Sequence, residues 1–195
     1  MILGITGGTG CGKTTLLNLI KDMGGMVLDC DEIYHQLLKT DPPLLTAIEN
    51  RFPGTVNGRE LDRKKLGALV FSDENALLDL NRITHTAVKQ EVLRRLAEKP
   101  KLAAIDAIGL FEGKLADLCD ITVAVTAPTD DRVKRLMVRD GISENYAKKR
   151  IAAQHESDWF RQRCDYTLEN REAIDTFKAE CLAFLETLGI IKENQ

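Results

Sequence analysis

An α/β fold, a five-stranded mostly parallel sheet with helices on both sides, follows from three features of the 195-residue sequence. The strand candidates are short, continuous apolar runs, as expected of parallel strands covered on two faces. Stretches of helical length separate them, which implies strand–helix–strand units in one sheet. The first candidate, Met1–Thr6, passes through a glycine-rich loop straight into a helix.

After the loop, Thr15–Met23 reads as a helix that stops at Gly24-Gly25. Met26–Asp29 is a second strand ending in acid, followed by a helix from Asp31 to about Thr40 that Pro42-Pro43 breaks. Leu44–Phe52 is a short helix closed by Pro53-Gly54, and Asn57-Gly58 is a turn signal. From Leu61 to about Ala97 the pattern is helical throughout, with Ser72 as an N-cap and no strand candidate, so this block reads as a helical insert. Leu102–Asp106 and Asp120–Val125 are the next strands. Thr129 caps a helix to Arg139 that Asp140-Gly141 ends, and Ser143 caps another to about Gln154. Tyr166–Leu168 is a last strand, and Arg171–Leu188 is a closing amphipathic helix.

Composition narrows the class. Apolar content of 44% and charged content of 29% are those of an ordinary globular domain. No apolar run approaches the roughly 20 residues a membrane span needs. The sequence begins in a strand, which leads us to expect no signal peptide. The five cysteines (Cys11, Cys30, Cys119, Cys164, Cys181) form no C-x-x-C pair, which argues against a zinc site or disulfide framework and for the cytoplasm. A net charge of −3 disfavours nucleic acid as the main partner. Between Asp130 and Arg150, however, seven basic residues face four acidic ones, a local excess suited either to an anionic ligand or to a solvated helix face.

The segment Gly7-Gly8-Thr9-Gly10-Cys11-Gly12-Lys13-Thr14 fits G-x-x-x-x-G-K-[ST] between a strand and a helix. Glycines there let successive backbone N–H groups curl around phosphates, and the helix N-terminus adds its partial positive charge. Lys13 reaches the β/γ-phosphates, and the Thr14 hydroxyl can hold Mg²⁺. The loop alone promises a bound nucleoside triphosphate, used by a hydrolytic switch or by a kinase. Asp106-Ala107-Ile108-Gly109 matches the D-x-x-G of a switch, but no N-K-x-D follows. The kinase reading has more residues behind it. Asp29 and Asp31 end the second strand, where open α/β sheets bind ligands, and one of them can accept a hydroxyl proton while the other caps or packs. Arg132, Arg135 and Arg139 share a helix face that could close on phosphates. His35 and His85 fall in candidate acceptor regions, and His155 reads as structural.

Taken in order, these elements resemble the dephospho-coenzyme A kinase family over nearly the whole length. Thr6–Thr15 resembles its T-G-G-I-G-S-G-K-S-T loop, and Leu28–Asp31 with His35 its D-A-D element. Leu61-Asp62-Arg63 with Leu66-Gly67 and Val70-Phe71, then Leu80–His85, are similar to its coenzyme-binding helices. Leu110-Phe111-Glu112, Arg135–Gln154, and Asp165-Tyr166 with Asn170 resemble later family elements. The resemblance implies a three-layer P-loop kinase fold: a core at about 1–40, 100–130 and 164–195, an acceptor-binding insert at about 41–99 and a lid at about 131–163. It implies ATP phosphates on Gly8, Gly10, Cys11, Gly12, Lys13, Thr14 and Thr15, with Mg²⁺ on Thr14 and Asn170 near the adenine. It makes Asp31 the base toward the ribose 3′-hydroxyl of dephospho-coenzyme A, Lys13 and Arg139 the cations on the phosphates, and Asp29, His35, Arg63, Leu66 and His85 acceptor residues. The sequence departs from the family at Ile108-Gly109 (usually Pro-Leu), at Thr86 (usually proline) and at Phe160 (usually lysine or arginine). Cys11 and Thr14 replace serines. Two other readings stand beside this one: a kinase of another small metabolite such as a nucleoside monophosphate, and a nucleotide-binding regulator without transfer activity. No nucleic-acid or membrane partner is expected, and the sequence leaves oligomeric state open.

Overall fold

A computed structural model describes residues 1–171 and 173–190. Residue 172, inside the expected closing helix, and residues 191–195, inside the expected core, lie outside the described residues. The chain divides into two compact units, one comprising Met1–Val27, Pro100–Leu110 and Ala116–Gln195, the other Leu28–Lys99 and Phe111–Leu115.

The first unit is built on a five-stranded sheet of β1 (Ile2–Thr6), β2 (Met26–Asp29), β5 (Ala103–Asp106), β6 (Ile121–Thr126) and β7 (Tyr166–Glu169), in the order β2-β5-β1-β6-β7. β1 lies at the centre, parallel to β5 on one side and β6 on the other, with Ile5 opposite Asp106 and Val123. β7 adds in parallel to β6, and its start is pinned where the Asp165 carboxylate accepts from Thr122 N at 2.8 Å and Thr122 Oγ1 at 2.7 Å. All five strand candidates form.

One sheet face is covered by α1 (Lys13–Asp22) and α9 (Ile174–Thr187). Leu16, Leu17, Leu19 and Ile20 recur on one side of α1, and Phe177, Cys181, Phe184 and Leu185 on one side of α9. Together they bury Leu3, Ile5, Val123 and Val125 of the sheet. Gly4 points the other way, where an added Cβ would stand 2.7 Å from Cys119 Sγ. α6 (Thr129–Asp140) and α7 (Glu144–Ala152) pair through their own small cluster of Val133, Leu136, Ala147 and Ile151. Ser143 caps α7 as expected, accepting from Tyr146 N at 3.4 Å, whereas Thr129 lies inside the first turn of α6 and Pro128 stands at its cap with no side-chain bond. A short α8 (Ser157–Arg161) that the sequence pattern did not reveal precedes β7.

The second unit is mostly helical: α2 (Cys30–Thr40), α3 (Pro42–Arg51), α4 (Arg63–Val70) and α5 (Glu74–Leu96). Leu38, Leu45, Ile48, Phe52, Leu66 and Val70 are at its centre. Two details depart from expectation. The Asn57-Gly58 signal turns a two-stranded hairpin, β3 (Val56–Asn57) against β4 (Glu60–Leu61). The cap of α5 is Asp73, which accepts from Asn75 N and Ala76 N, while the Ser72 hydroxyl donates back to Ala68 O and Leu69 O. Among the described residues no helix is long and apolar enough to cross a membrane.

Phe177 is 1% exposed and closes the α1–α9 contact. Phe177→Ala should cost about 3–5 kcal/mol in urea unfolding, whereas Ile174→Ala, at a residue 70% exposed, should stay within about 0.5 kcal/mol. Comparable losses would show that α9 does not seal the core.

Candidate phosphate-binding site

The loop between β1 and α1 is positioned by its backbone. Gly7, Gly10 and Gly12 have φ of 137°, 79° and 99°, a region open to glycine and costly to other residues. Space is as restrictive as torsion. A Cβ on Gly7 would meet Val125 O at 2.0 Å, one on Gly8 the Arg132 guanidinium at 2.2 Å, and one on Gly12 the Asn170 amide at 2.2 Å.

The loop carbonyls are taken up by donors within the protein. Lys13 Nζ donates to Gly7 O at 3.0 Å, and Arg132 Nε to Thr9 O at 2.9 Å. Arg135 Nη1 donates to Gly10 O at 3.2 Å and Cys11 O at 3.4 Å. Asn170 Nδ2 donates to Cys11 O at 3.0 Å, and the Asn170 Oδ1 accepts from Arg135 Nη2 at 3.0 Å. Gly8 O and Gly12 O accept from Cys11 N and Thr15 N within the loop itself. Among the described residues the N–H groups of Gly10 and Gly12 donate to no protein acceptor. The first amides of α1 have no intrahelical acceptor either. The loop therefore offers donors on one side and turns its acceptors inward, which is what an anion requires.

Lys13 Nζ is also 3.8 Å from Asp106 Oδ1 at the end of β5. In the sequence Asp106 opens the D-x-x-G match Asp106-Ala107-Ile108-Gly109. Its place at the carboxyl end of the strand beside β1 was the signal that marked it as a site residue. Thr14 is exposed at the second position of α1. Among the described residues no cluster of three or more His, Cys, Asp or Glu could hold an ion. A threonine hydroxyl and one carboxylate are, however, the hard oxygen donors that Mg²⁺ takes when phosphates and water supply the rest.

The three arginines of α6 divide. Arg132 is 3% exposed and Arg135 half-buried, both committed to the loop. Arg139 instead forks onto its neighbour Asp140 at 2.7 and 3.1 Å, and Arg150 joins the same carboxylate at 2.6 Å. Arg139, with Arg150, holds the Asp140 carboxyl down at about 2. Asn170, expected near an adenine, is 6% exposed, and its amide is spent on the loop and Arg135. Cys11 is 1% exposed, and burial pushes its thiol above the ordinary range against the pull of Arg132 and Lys13. It packs and does not act as a nucleophile. Phe160, where the resemblance led us to expect a cation, is buried against Trp159 and His155. The neighbouring Arg161 bonds Glu169 at 2.6 Å and Thr126 Oγ1 at 3.4 Å. A cleft of about 650 Å³ lined by Thr129, Arg132, Lys148, Gln154, His155 and Ser157 opens in the same unit.

In the second unit Asp29 and Asp31 take different tasks. Asp29 caps α2, its Oδ1 accepting from Asp31 N at 2.9 Å and Glu32 N at 3.0 Å. Asp31 stands exposed on the first turn. His35 is exposed with its ring 5.8 Å from that of Tyr34, Arg63 is exposed at the start of α4, and His85 is half-buried on α5. Leu66 is 4% exposed within the helical core rather than on a surface.

Residues 1–176 match the family described as Dephospho-CoA kinase. The Dephospho-CoA kinase of Syntrophotalea carbinolica is 32% identical over 194 residues, 96% of this chain and 92% of that protein. That of Anaeromyxobacter dehalogenans is 38% identical over 178 residues, covering 88% and 84%. A crystal structure of a Thermus thermophilus protein aligns with a TM-score of 0.80 at 32% identity, covering 96% of this chain and 97% of that one.

The packing of the loop can be tested without any ligand. Gly24 has φ of 77° with nothing within 4 Å of an added Cβ. Gly24→Ala should therefore cost only the torsional penalty of about 1 kcal/mol. Gly12→Ala also displaces Asn170 from Cys11 O and should cost about 3 kcal/mol or more in chemical denaturation. Equal losses would mean that Asn170 does not bear on the loop.

Proposed function

The chain belongs to the dephospho-CoA kinase family, and from that premise we propose that it transfers the γ-phosphoryl group of ATP to the ribose 3′-hydroxyl of dephospho-coenzyme A, giving coenzyme A and ADP. The observation that carries the reading is the loop that directs its carbonyls to Lys13, Arg132, Arg135 and Asn170 and keeps the amides of Gly10 and Gly12 for an anion. Phosphoryl transfer asks little covalent chemistry of a protein and much positioning and charge stabilisation, which such a loop provides.

In this reading the loop from Gly10 to Thr15 holds the phosphates, chiefly through the amides of Gly10, Gly12, Lys13 and Thr14, and Lys13 spreads its charge over the β and γ oxygens. Thr14 and Asp106 are the oxygen donors for Mg²⁺, which when bound neutralises charge on the same oxygens. Asp31 takes the proton of the 3′-hydroxyl as its oxygen attacks the γ-phosphorus and ADP leaves. Its role is supported by the cap at Asp29, which frees Asp31 from structural duty. His35, Arg63 and His85 contact the acceptor, and Leu66 shapes their unit from within. With Arg132 and Arg135 committed to the loop, Arg139 is the arginine of α6 left for the transferring group, and it reaches that group by leaving Asp140. The insert at about 41–99 carries the acceptor, and the segment at about 131–163 closes as a lid. The free thiols of all five cysteines favour a reducing cytoplasm.

Purified protein with ATP and Mg²⁺ should form ADP only when dephospho-coenzyme A is added. ADP formed instead with a nucleoside monophosphate would overturn the acceptor assignment, and tight ATP binding without turnover would make the protein a regulator. Asp31→Asn should lower kcat by about 10²-fold or more while ATP affinity holds. Equal loss of both would assign Asp31 to structure.

A further inference from the structure

We propose that Gln154, a residue outside the glycine-loop motif, is a positioning residue that sets the phosphate loop in its binding conformation and ties the α6–α7 pair to it. The inference rests on the nucleotide-binding reading above and deepens it.

Thr9 is bonded on both sides of its backbone. Its N–H donates to Gln154 Oε1 at 2.8 Å, and its C=O accepts from Arg132 Nε at 2.9 Å. Arg132 Nη2 donates to the same Gln154 Oε1 at 3.3 Å, so the two side chains close a ring around the backbone of one residue, Thr9. Both neighbours of the glutamine oxygen are donors, which fixes the amide with Oε1 inward, and its two lone pairs suffice for both. The knot occupies the space a side chain on Gly8 would need: a Cβ there would stand 2.2 Å from Arg132 Nη2 and 3.1 Å from Gln154 Oε1.

Thr9 needs this clamp because of what surrounds it. Gly7 and Gly8 precede it and Gly10 follows at φ 79°, so its peptide planes can turn at low cost. A turned plane at Thr9 swings the next amides away from the phosphates. Arg132 alone holds the carbonyl side. Gln154 holds the amide side and the guanidinium together, and desolvation inside the knot strengthens each bond.

Gln154 also lies two residues past the end of α7, with its own N–H bonded to Ile151 O at 3.1 Å. Ile151 packs into the cluster that joins α7 to α6. Movement of the helix pair at this end therefore pulls on Thr9, and ordering of the loop by phosphate holds the helix pair. The same glutamine thus serves loop geometry and the coupling of the proposed lid to the nucleotide.

Two variants test this. Gln154→Met keeps the length and volume and removes the acceptor. Gln154→Glu restores an acceptor oxygen of equal reach, its charge met by Arg132. For Gln154→Met, affinity for a non-hydrolysable ATP analogue with Mg²⁺ should fall about tenfold, the loss expected of a buried hydrogen bond to a charged group. Its KM for ATP should rise by a similar factor while kcat at saturation stays within about threefold, because the clamp acts on ground and transition states alike. Gln154→Glu restores the acceptor for Thr9 N–H but cancels the charge of Arg132, so its ATP affinity should stay below wild type while the loop geometry recovers. Exchange of the Thr9 amide, followed by NMR without nucleotide, should accelerate about tenfold in the Met variant and return in the Glu variant. Wild-type behaviour of the Met variant in both binding and exchange, or equal acceleration of Thr9 exchange in both variants, overturns the proposal. If the wild-type protein binds no ATP, the functional reading fails and the Thr9 exchange alone decides the clamp.

Discussion

A loop that aims its N–H groups at an anion must aim its carbonyls somewhere else, and buried carbonyls need donors. This constraint organises the first unit. Gly7, Thr9, Gly10 and Cys11 turn their oxygens inward, and four side chains reach them: Lys13 from α1, Arg132 and Arg135 from α6, and Asn170 from the turn after β7. Residues more than a hundred positions apart are thereby obliged to meet under one short segment. The glycines follow from the same need, since the guanidinium of Arg132 and the amide of Asn170 occupy the volumes that side chains on Gly8 and Gly12 would fill.

Using arginines as the donors has an electrostatic consequence. Arg132 is 3% exposed, and the hydrogen bonds that satisfy its guanidinium go to the Thr9 carbonyl and the Gln154 amide oxygen, both neutral groups. Its charge is thus dispersed over dipoles and left uncancelled by a carboxylate, so it adds to the positive field at the loop. The local basic excess between Asp130 and Arg150 resolves into two populations on this basis. Arg132 and Arg135 raise the potential at the loop, while Arg139 and Arg150 neutralise Asp140 at the surface.

What could be read from the sequence was what local pattern dictates. The five strands, the glycine loop and the amphipathic helices each carry their own periodicity, and each forms. The misplaced features were those decided by partners. Ser72 and Asp73 are both good caps, and only the end of α4, whose carbonyls at Ala68 and Leu69 take the Ser72 hydroxyl, leaves the task to Asp73. The two-residue strands β3 and β4 are too short to show alternation. Asn170 and Gln154 are single polar residues whose roles exist only once β7 and α7 bring them to the loop. Asp106 was visible, and its strand-end position pointed to the site more directly than the four-letter pattern that distracted from it. The family departure at Phe160 likewise became interpretable only with its neighbours, which make it a packing residue.

The unequal ends of α6 bear on how any closing motion works. Its first half is bound to the loop by two arginines, and its far end, at Arg139 and Asp140, is exposed and joined to Arg150 of α7. Val133, Leu136, Ala147 and Ile151 keep the two helices together as one body. In the proposed lid, a body held at its loop end would move mainly at the other, where Arg139 stands. The bonds of Arg132 and Gln154 to Thr9 lie at the fixed end. The proposed closure would in this way separate the two demands of phosphoryl transfer, a cradle held before the nucleotide arrives and a cover that opens afterwards.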